Sequence, residues 1–201
     1  MEIIFATGNA HKVIEAQKAL GDSFTLIMPK ELGLDQEIPE NGDTLQANAI
    51  EKAEFLWNKF GKNCFADDTG LEVDALGGAP GVYTARYAGP DKGSDANMDK
   101  LLSELAALEA KGENISRAAR FRTVVALIID GQTHIFNGVL EGKIATGKSG
   151  SEGFGYDPVF IPDGYDKTLA EISLDEKNAI SHRGKAMRAL AQFLKCLPKA
   201  K

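Results

Sequence analysis

The chain has 201 residues, of which 43% are hydrophobic and 26% are charged, a balance typical of a globular protein with a buried core. This length favours a single domain spanning residues 1–201 and also allows two closely packed lobes. The net charge of −6 argues against a non-specific binder of nucleic acid or of an anionic membrane, because such proteins usually carry a basic surface.

Cysteine content and hydropathy bear on the cellular compartment. The two cysteines, Cys64 and Cys196, are too few for a disulfide framework or a zinc site. No segment approaches the roughly 18 consecutive apolar residues of a membrane span, and the N-terminus lacks the pattern of a signal peptide. The sequence therefore predicts a cytoplasmic protein.

Strand and helix patterns alternate along the chain, without repeats. The first half predicts, in order, a strand at 2–6, a helix at 10–20, a strand at 24–28, a helix capped by Asp43 or Thr44 and ended by Gly61, and strands at 64–67 and 71–76. The second half predicts a helix at 94–111, a hairpin of 121–130 and 133–139 around Asp130-Gly131, a capping box at 173–176 and a helix at 182–197. Helices separate the early strands and a hairpin joins later ones, so we expect an α/β fold with a mixed sheet.

The N-terminal segment combines a strand, a small polar turn and a helix start. Thr7-Gly8-Asn9 follows the apolar run, and the helix is expected to begin at about Ala10. The first amides of a helix lack intrahelical partners and the helix dipole favours negative charge, so this turn can bind an anion, to which Lys12 would add positive charge. An ordinary strand, turn and helix with a solvated lysine fits the same residues.

Ala66-Asp67-Asp68-Thr69-Gly70 lies where a predicted strand gives way to a turn. Adjacent side chains of a strand point to opposite faces, so at most one aspartate faces a given cleft unless the strand breaks. A carboxylate there can hold a hard divalent cation or accept a proton from water, and Glu40 is a second candidate. The alternative is a capped turn with two solvated acids.

Two later segments are further candidates for ligand contacts. In Gly153-Phe154-Gly155-Tyr156-Asp157-Pro158, the glycines allow close backbone approach, the aromatic rings offer stacking faces, and Pro158 restricts Asp157 to extended conformations. Ser181-His182-Arg183-Gly184, with Lys177 before it, offers donors for a carbonyl or a phosphate. A structural turn and a plain helix terminus explain the same patterns.

One segment matches the phosphate-binding P-loop letter for letter. Gly142-Lys143-Ile144-Ala145-Thr146-Gly147-Lys148-Ser149 fits G-x-x-x-x-G-K-[ST]. A P-loop requires a helix after the motif, and the glycine-rich segment 150–155 followed by Pro158 does not favour one. We therefore expect the end of a strand at Ile144-Ala145 and no P-loop.

Taken together, the motifs resemble the inosine/xanthosine triphosphate pyrophosphatases, which hydrolyse aberrant purine nucleoside triphosphates to monophosphate and pyrophosphate. The resemblance runs from about residue 3 to residue 195. It is carried, in order, by Thr7-Gly8-Asn9 with Lys12, Ala66-Asp67-Asp68-Thr69-Gly70-Leu71, Gly77-Gly78-Ala79-Pro80-Gly81-Val82-Tyr83-Thr84-Ala85-Arg86-Tyr87, and the segments 153–158 and 181–184.

The resemblance implies an elongated mixed sheet in two lobes with the active site in the cleft between them, a homodimer, and Mg²⁺ as cofactor. It assigns Asp68 as magnesium ligand and proton acceptor, and Glu40 as a second metal ligand. The residues expected to bind the triphosphate are Thr7, Gly8, Asn9, Ala10, His11, Lys12 and Lys52, with Thr69 beside Asp68. The residues expected to bind the base are Phe154, Gly155, Tyr156, Asp157, Lys177, His182 and Arg183.

Two positions depart from the family pattern. Thr69 stands where many members have serine, which keeps the hydroxyl, and Ala47 stands where many have glutamate, which removes one acid near the metal. Three other functions remain open: a P-loop NTPase, a related pyrophosphatase for another nucleotide, and a non-catalytic nucleotide-binding module.

Overall fold

The computed structural model describes residues 1–91, 93–112 and 114–197, apart from the side chain of His11. Its strands are β1 (Glu2–Phe5), β2 (Thr25–Ile27), β3 (Cys64–Val73), β4 (Ala118–Ile129), β5 (Gln132–Ile144) and β6 (Phe160–Pro162). Its α-helices are α1 (Ala10–Leu20), α2 (Leu45–Phe60), α3 (Ser94–Ala110), α4 (Leu174–Ile180) and α5 (His182–Cys196). Short 3-10 helices lie at Pro29–Leu32, Asp74–Leu76, Gly81–Arg86 and Asp157–Val159.

The strands form one six-stranded sheet in the order β2-β1-β3-β4-β5-β6. β1 pairs in parallel with β2 and β3, whereas β5 pairs antiparallel with β6. The expectation of an α/β fold with a mixed sheet is therefore confirmed. Within the described ranges, no helix combines the length and the low polarity needed to cross a bilayer.

Contacts divide the chain into two compact units. The first unit comprises Met1–Asp68, Thr123–Gly138 and His182–Lys201, and the second comprises Thr69–Arg122 and Val139–Ser181. Each has its own apolar core. The core of the first unit includes Phe5, Leu20, Phe65, Leu127 and Leu190, and that of the second includes Leu71, Leu101, Leu105, Phe160 and Leu169.

Local capping sets the bounds of α2, the helix that carries Asn48 and Lys52. The Thr44 hydroxyl accepts a hydrogen bond from the Ala47 amide at 3.0 Å, which identifies Thr44 as the N-cap. At the other end Gly61 adopts a left-handed conformation with φ 60° and donates its amide to the carbonyl of Trp57. Both ends agree with the sequence prediction.

The predicted hairpin is also confirmed. Asp130 and Gly131 join β4 to β5 with φ values of 50° and 77°. Two consecutive positive φ values are what a two-residue turn of type I′ requires, and its twist matches that of the flanking strands. The strands extend further than predicted, to Ala118 at one end and Ile144 at the other.

The predicted break between residues 67 and 71 is wrong. β3 continues without interruption through Asp67, Asp68 and Gly70, and it lies between β1 and β4 in the sheet. Neighbouring strands on both sides supply partners for the backbone of an inner strand, so one glycine does not end it. The Asp74–Leu76 segment, predicted as strand, is a 3-10 helix. The short strand β6 was not predicted.

Gly138 provides a test of how α5 packs on β5 in the first unit. A Cβ atom at Gly138 would lie 2.0 Å from the carbonyl oxygen of His182 and 2.5 Å from the amide of Ala186. We predict that Gly138→Ala lowers the free energy of unfolding by about 1–3 kcal/mol, because backbone atoms must move. Urea titration followed by the fluorescence of the single tryptophan, Trp57, measures this.

The matched control is Gly147→Ala, since an added Cβ there meets no atom within 4 Å. We expect the urea midpoint of unfolding of this variant to stay close to that of the parent protein. Equal midpoints for the two variants would contradict the close approach of α5 to β5.

Candidate active site

The turn between β1 and α1 has the geometry expected from the sequence. The Thr7 hydroxyl accepts a hydrogen bond from the Asn9 amide at 3.1 Å, and the Asn9 side-chain oxygen accepts from the Lys12 amide at 3.4 Å. These bonds fix the strand, turn and helix start without using the Lys12 ammonium. Gly8 has open space where a Cβ would lie, so the turn is accessible.

This turn lines a cavity of about 630 Å³ within the first unit. The rest of the lining comes mainly from the 3-10 helix Pro29–Leu32 and from the loop that follows it. The charged residues that line the cavity are Lys12, Lys30, Glu37, Glu40, Lys52 and Asp67. A cavity with three lysines and three carboxylates can hold an anion together with a cation that offsets its charge.

Asp67 is buried against two cations of the first unit. Its side chain is 1% exposed, and its two carboxylate oxygens each lie 3.0 Å from the Nζ atom of Lys12. The Arg183 Nε atom lies 3.4 Å from Asp67 Oδ2, and Arg183 Nη1 lies 3.6 Å from the exposed Glu15. Burial by itself raises the pKa of Asp67, but Lys12 and Arg183 together hold that pKa below its ordinary value.

Asp68 has a different set of partners. Its Oδ1 atom lies 3.3 Å from Lys52 Nζ, and its Oδ2 atom accepts from the Asn48 amide group at 3.2 Å. Lys52 also donates to Glu40, so that one largely buried ammonium contacts two carboxylates. Lys52 and Asn48 lie one helical turn apart on α2, and the caps of that helix fix both positions.

Burial and nearby charge shift the pKa values of this second cluster. Burial raises the pKa of Asp68 above its ordinary value, and Glu40 adds to the rise, while Lys52 and Asn48 oppose it. Burial lowers the pKa of Lys52, but Asp68 and Glu40 outweigh it and the net shift is upward. Lys52 therefore stays charged, and Asp68 is a better proton acceptor than an exposed aspartate.

The donor set around Lys52 fits a magnesium ion. Mg²⁺ takes oxygen ligands and is usually held by one or two carboxylates together with water and substrate phosphates. Asp68 and Glu40 provide two such carboxylates, and both contact the ammonium group of Lys52. Among the described residues, no three acidic, histidine or cysteine side chains gather into an all-protein metal cage. The arrangement therefore fits a metal that a phosphate ligand helps to hold.

Segment 153–157 in the second unit presents an aromatic ring beside a buried ion pair. The Phe154 side chain is 70% exposed, and Lys177 Nζ lies 4.8 Å from the centre of its ring. Asp157 is 4% exposed, accepts from the Phe154 amide at 2.8 Å and pairs with Lys177. Gly153 has φ 89°, and a Cβ there would lie 2.2 Å from Asp157 Oδ2, so this contact requires glycine. The exposed ring can stack on a planar ligand.

The other predicted site residues are placed as follows. Tyr156 is buried in the core of the second unit, where its hydroxyl donates to the Thr84 carbonyl at 3.0 Å, and Gly155 next to it has φ 63°. Thr69 lies on β3 in the second unit. His182 begins α5, Ala10 begins α1, and the side chain of His11 lies outside the described part.

The structure brings Lys12 and Arg183 together through Asp67, and Lys52 and Glu40 together with Asp68. Sequence reasoning did not assign a role to Asp67, Asn48 or Glu15. The spacing of Asn48 and Lys52 on one helix face was a usable signal for Asn48. The sequence held no signal that Arg183 would lie beside Asp67, because these residues are far apart in the chain.

The P-loop match has no P-loop geometry, as expected. Ile144 ends β5, and the structure shows no helix in residues 145–156, all of which it describes. Lys148 lies 2.5 Å from Asp95 and 2.6 Å from Asp99, both on α3. Its charge is therefore compensated by carboxylates at the surface.

Comparison with known proteins finds relatives along almost the whole chain. The family model of the Ham1 family matches residues 3–193. A protein of Flavobacterium psychrophilum named dITP/XTP pyrophosphatase is 47% identical over 195 residues, covering 97% of this chain and 100% of that protein. A protein of the same name from Bacillus subtilis is 46% identical, covering 96% of each chain.

Solved structures give the same result. The Ham1 protein of Staphylococcus aureus is 40% identical with a TM-score of 0.89, and a HAM1 protein of Coxiella burnetii is 39% identical with a TM-score of 0.90. Each comparison covers 97% of this chain and 98% of the other. The resemblance inferred from the sequence motifs is confirmed, and the chain belongs to the Ham1 family.

Proposed function

We propose that this protein hydrolyses non-standard purine nucleoside triphosphates, namely ITP, dITP and XTP, to the monophosphate and pyrophosphate. The observation that carries the proposal is the contact of one buried ammonium, Lys52, with both Asp68 and Glu40 beside a cavity lined by further lysines. The names of the relatives from Flavobacterium psychrophilum and Bacillus subtilis support the same substrates.

The triphosphate binds at the N-terminus of α1 and in the cavity next to it. The positive end of the α1 helix dipole and the ammonium groups of Lys12 and Lys52 attract the phosphates, whereas the amides of Thr7, Asn9 and Lys12 already donate to oxygens of the protein. The open space at Gly8 supports close approach of a phosphate. A triphosphate carries about four negative charges, which is more than these two lysines offset, so a divalent cation is part of the proposal.

Asp68 and Glu40 would hold this cation, Mg²⁺, which would supply positive charge to offset that of the triphosphate and of the leaving pyrophosphate. Asp68 accepts the proton of the water whose oxygen attacks the α phosphorus. The bond from the α phosphorus to the bridging oxygen breaks, and pyrophosphate leaves.

The base contacts come from Phe154 with its neighbours and from the start of α5. Phe154 offers a stacking face, Asp157 and Lys177 offer polar groups, and Arg183 donates to the C6 carbonyl shared by hypoxanthine and xanthine. Adenine has an amino group at that position, which would oppose the donor. Gly155 and His182 complete the proposed set, while Tyr156 contributes by packing from within the core.

The working form of the protein is a cytoplasmic homodimer, and residues 1–201 act as one pyrophosphatase domain. The match of the family model over residues 3–193 includes both compact units, which supports a single functional domain.

The products test this function. With Mg²⁺, we predict that ITP yields inosine monophosphate and pyrophosphate, that ATP is a poor substrate, and that EDTA stops turnover. Ion chromatography of the released phosphates distinguishes the alternatives. Release of inorganic phosphate and a diphosphate would indicate cleavage at the γ phosphate, and binding of ITP without turnover would indicate a non-catalytic module.

Asp68→Asn tests the proton acceptor. We predict a fall in kcat for ITP of at least 10²-fold, because a general base contributes about 10²–10⁴-fold and loss of a metal ligand adds to this. The matched control is Asp22→Asn, the same change at an exposed position, which should keep parental rates. A kcat of the Asp68 variant within a few-fold of the parent would transfer the role to another carboxylate.

Lys12 can be compared directly with Lys148, the lysine of the P-loop match. We predict that Lys12→Ala lowers kcat/KM for ITP by about 10- to 150-fold, the range for a lost charged hydrogen bond. Lys148→Ala should stay within a few-fold, since its ammonium contacts Asp95 and Asp99 outside the proposed site. Steady-state kinetics on the two variants checks this, and the reverse ranking would contradict it.

A further inference from the structure

Asp67 is a buried carboxylate to which the proposed mechanism assigns no step. The metal and water chemistry belongs to Asp68, the next residue on β3, whose contacts are with Lys52 and Asn48. Consecutive side chains of a strand point to opposite faces, and Asp67 accordingly contacts a separate pair of cations, Lys12 and Arg183. Its place in the site therefore needs its own explanation.

The contacts of Asp67 join three elements of the first unit. Lys12 comes from α1 and contributes an ammonium 3.0 Å from both carboxylate oxygens. Arg183 comes from the first turn of α5 and lies 3.4 Å from Oδ2. Only 1% of the Asp67 side chain is exposed, so the charge of this carboxylate is balanced mainly by these two cations and little by water.

Without a carboxylate between them, the two cations would repel each other. Lys12 has a long flexible side chain that gains rotamer freedom when its partner is lost. The other acid near Arg183 is Glu15, which is 56% exposed, 3.6 Å away and therefore screened by solvent. Asp67 is thus the group that keeps both cations in one arrangement.

We propose that Asp67 is a positioning residue that couples the two ends of the substrate site, holding Lys12 for the phosphates and Arg183 for the base. The inference rests on the proposed function, because it takes the roles of Lys12 and Arg183 from it. It predicts that a single change at Asp67 alters phosphate affinity and base selectivity together, although the proposed function assigns Asp67 no contact with the substrate.

The experiment compares Asp67→Asn with Lys12→Ala and Arg183→Ala in two assays. The first is the inhibition constant of inorganic pyrophosphate, which reports the phosphate end, and the second is the ratio of kcat/KM for ITP to that for ATP. Lys12→Ala should raise the inhibition constant and keep the ratio, and Arg183→Ala should lower the ratio and keep the inhibition constant. Asp67→Asn should change both, each by about 10-fold or more.

A purely structural role gives a different result. Asp67→Asn would then lower the fraction of active enzyme and the melting temperature. The inhibition constant of pyrophosphate and the ITP/ATP ratio of kcat/KM, measured on the folded enzyme, would equal those of the parent protein. This outcome overturns the inference. A change in only one of the two readouts also overturns it, because coupling requires both.

A second variant covers the case in which Asp67→Asn does not fold. Lys12→Met with Asp67→Asn removes both charges of the closest pair, and Arg183 keeps its ion pair with Glu15. This double variant should show a lower ITP/ATP ratio than Lys12→Met alone, and equal ratios would overturn the coupling to Arg183. Failure of the proposed function is a separate result, since the parental protein itself would then not release pyrophosphate from ITP.

Discussion

The alternation of side chains along one buried strand organises the chemistry of the first unit. Asp67 and Asp68 are neighbours on β3, and their carboxylates contact different cations. Two adjacent carboxylates on the same face would repel each other and raise each other's pKa values. Because the strand separates them, Asp67 can stay ionised in a closed ion pair with Lys12 while Asp68 remains partly accessible to solvent.

Each buried carboxylate of the candidate site is balanced by a lysine. Lys12 balances Asp67, Lys52 balances Asp68, and in the second unit Lys177 balances Asp157. Removing one partner of a buried pair leaves an unpaired charge, which typically destabilises a protein by about 3–5 kcal/mol. The same groups that bind the ligand in the proposed function therefore also contribute to folding, so activity and stability have to be measured together for every variant.

The P-loop match shows why a motif needs its structural context. The letters of G-x-x-x-x-G-K-[ST] are present, but β5 ends inside the motif and no helix begins in the described residues 145–156. A P-loop binds phosphate at the start of a helix, and the turn Thr7-Gly8-Asn9, unlike the P-loop match, leads directly into a helix, α1. An eight-residue match that no helix follows therefore carries less information than three residues placed between a strand and a helix.

The sequence by itself determined the fold class, most helix bounds and the hairpin, because capping residues, turn residues and hydrophobic periodicity act over a few neighbours. The family followed from the resemblance of motifs spread along the chain. Thr44, Gly61 and Asp130-Gly131 are such local signals. Only the tertiary structure decided that β3 runs on through Gly70, since its neighbours β1 and β4 supply the hydrogen bonds. It also decided that Arg183 contacts Asp67, because an ion pair between residues so far apart in the chain depends on how α5 packs, and no local pattern encodes that contact.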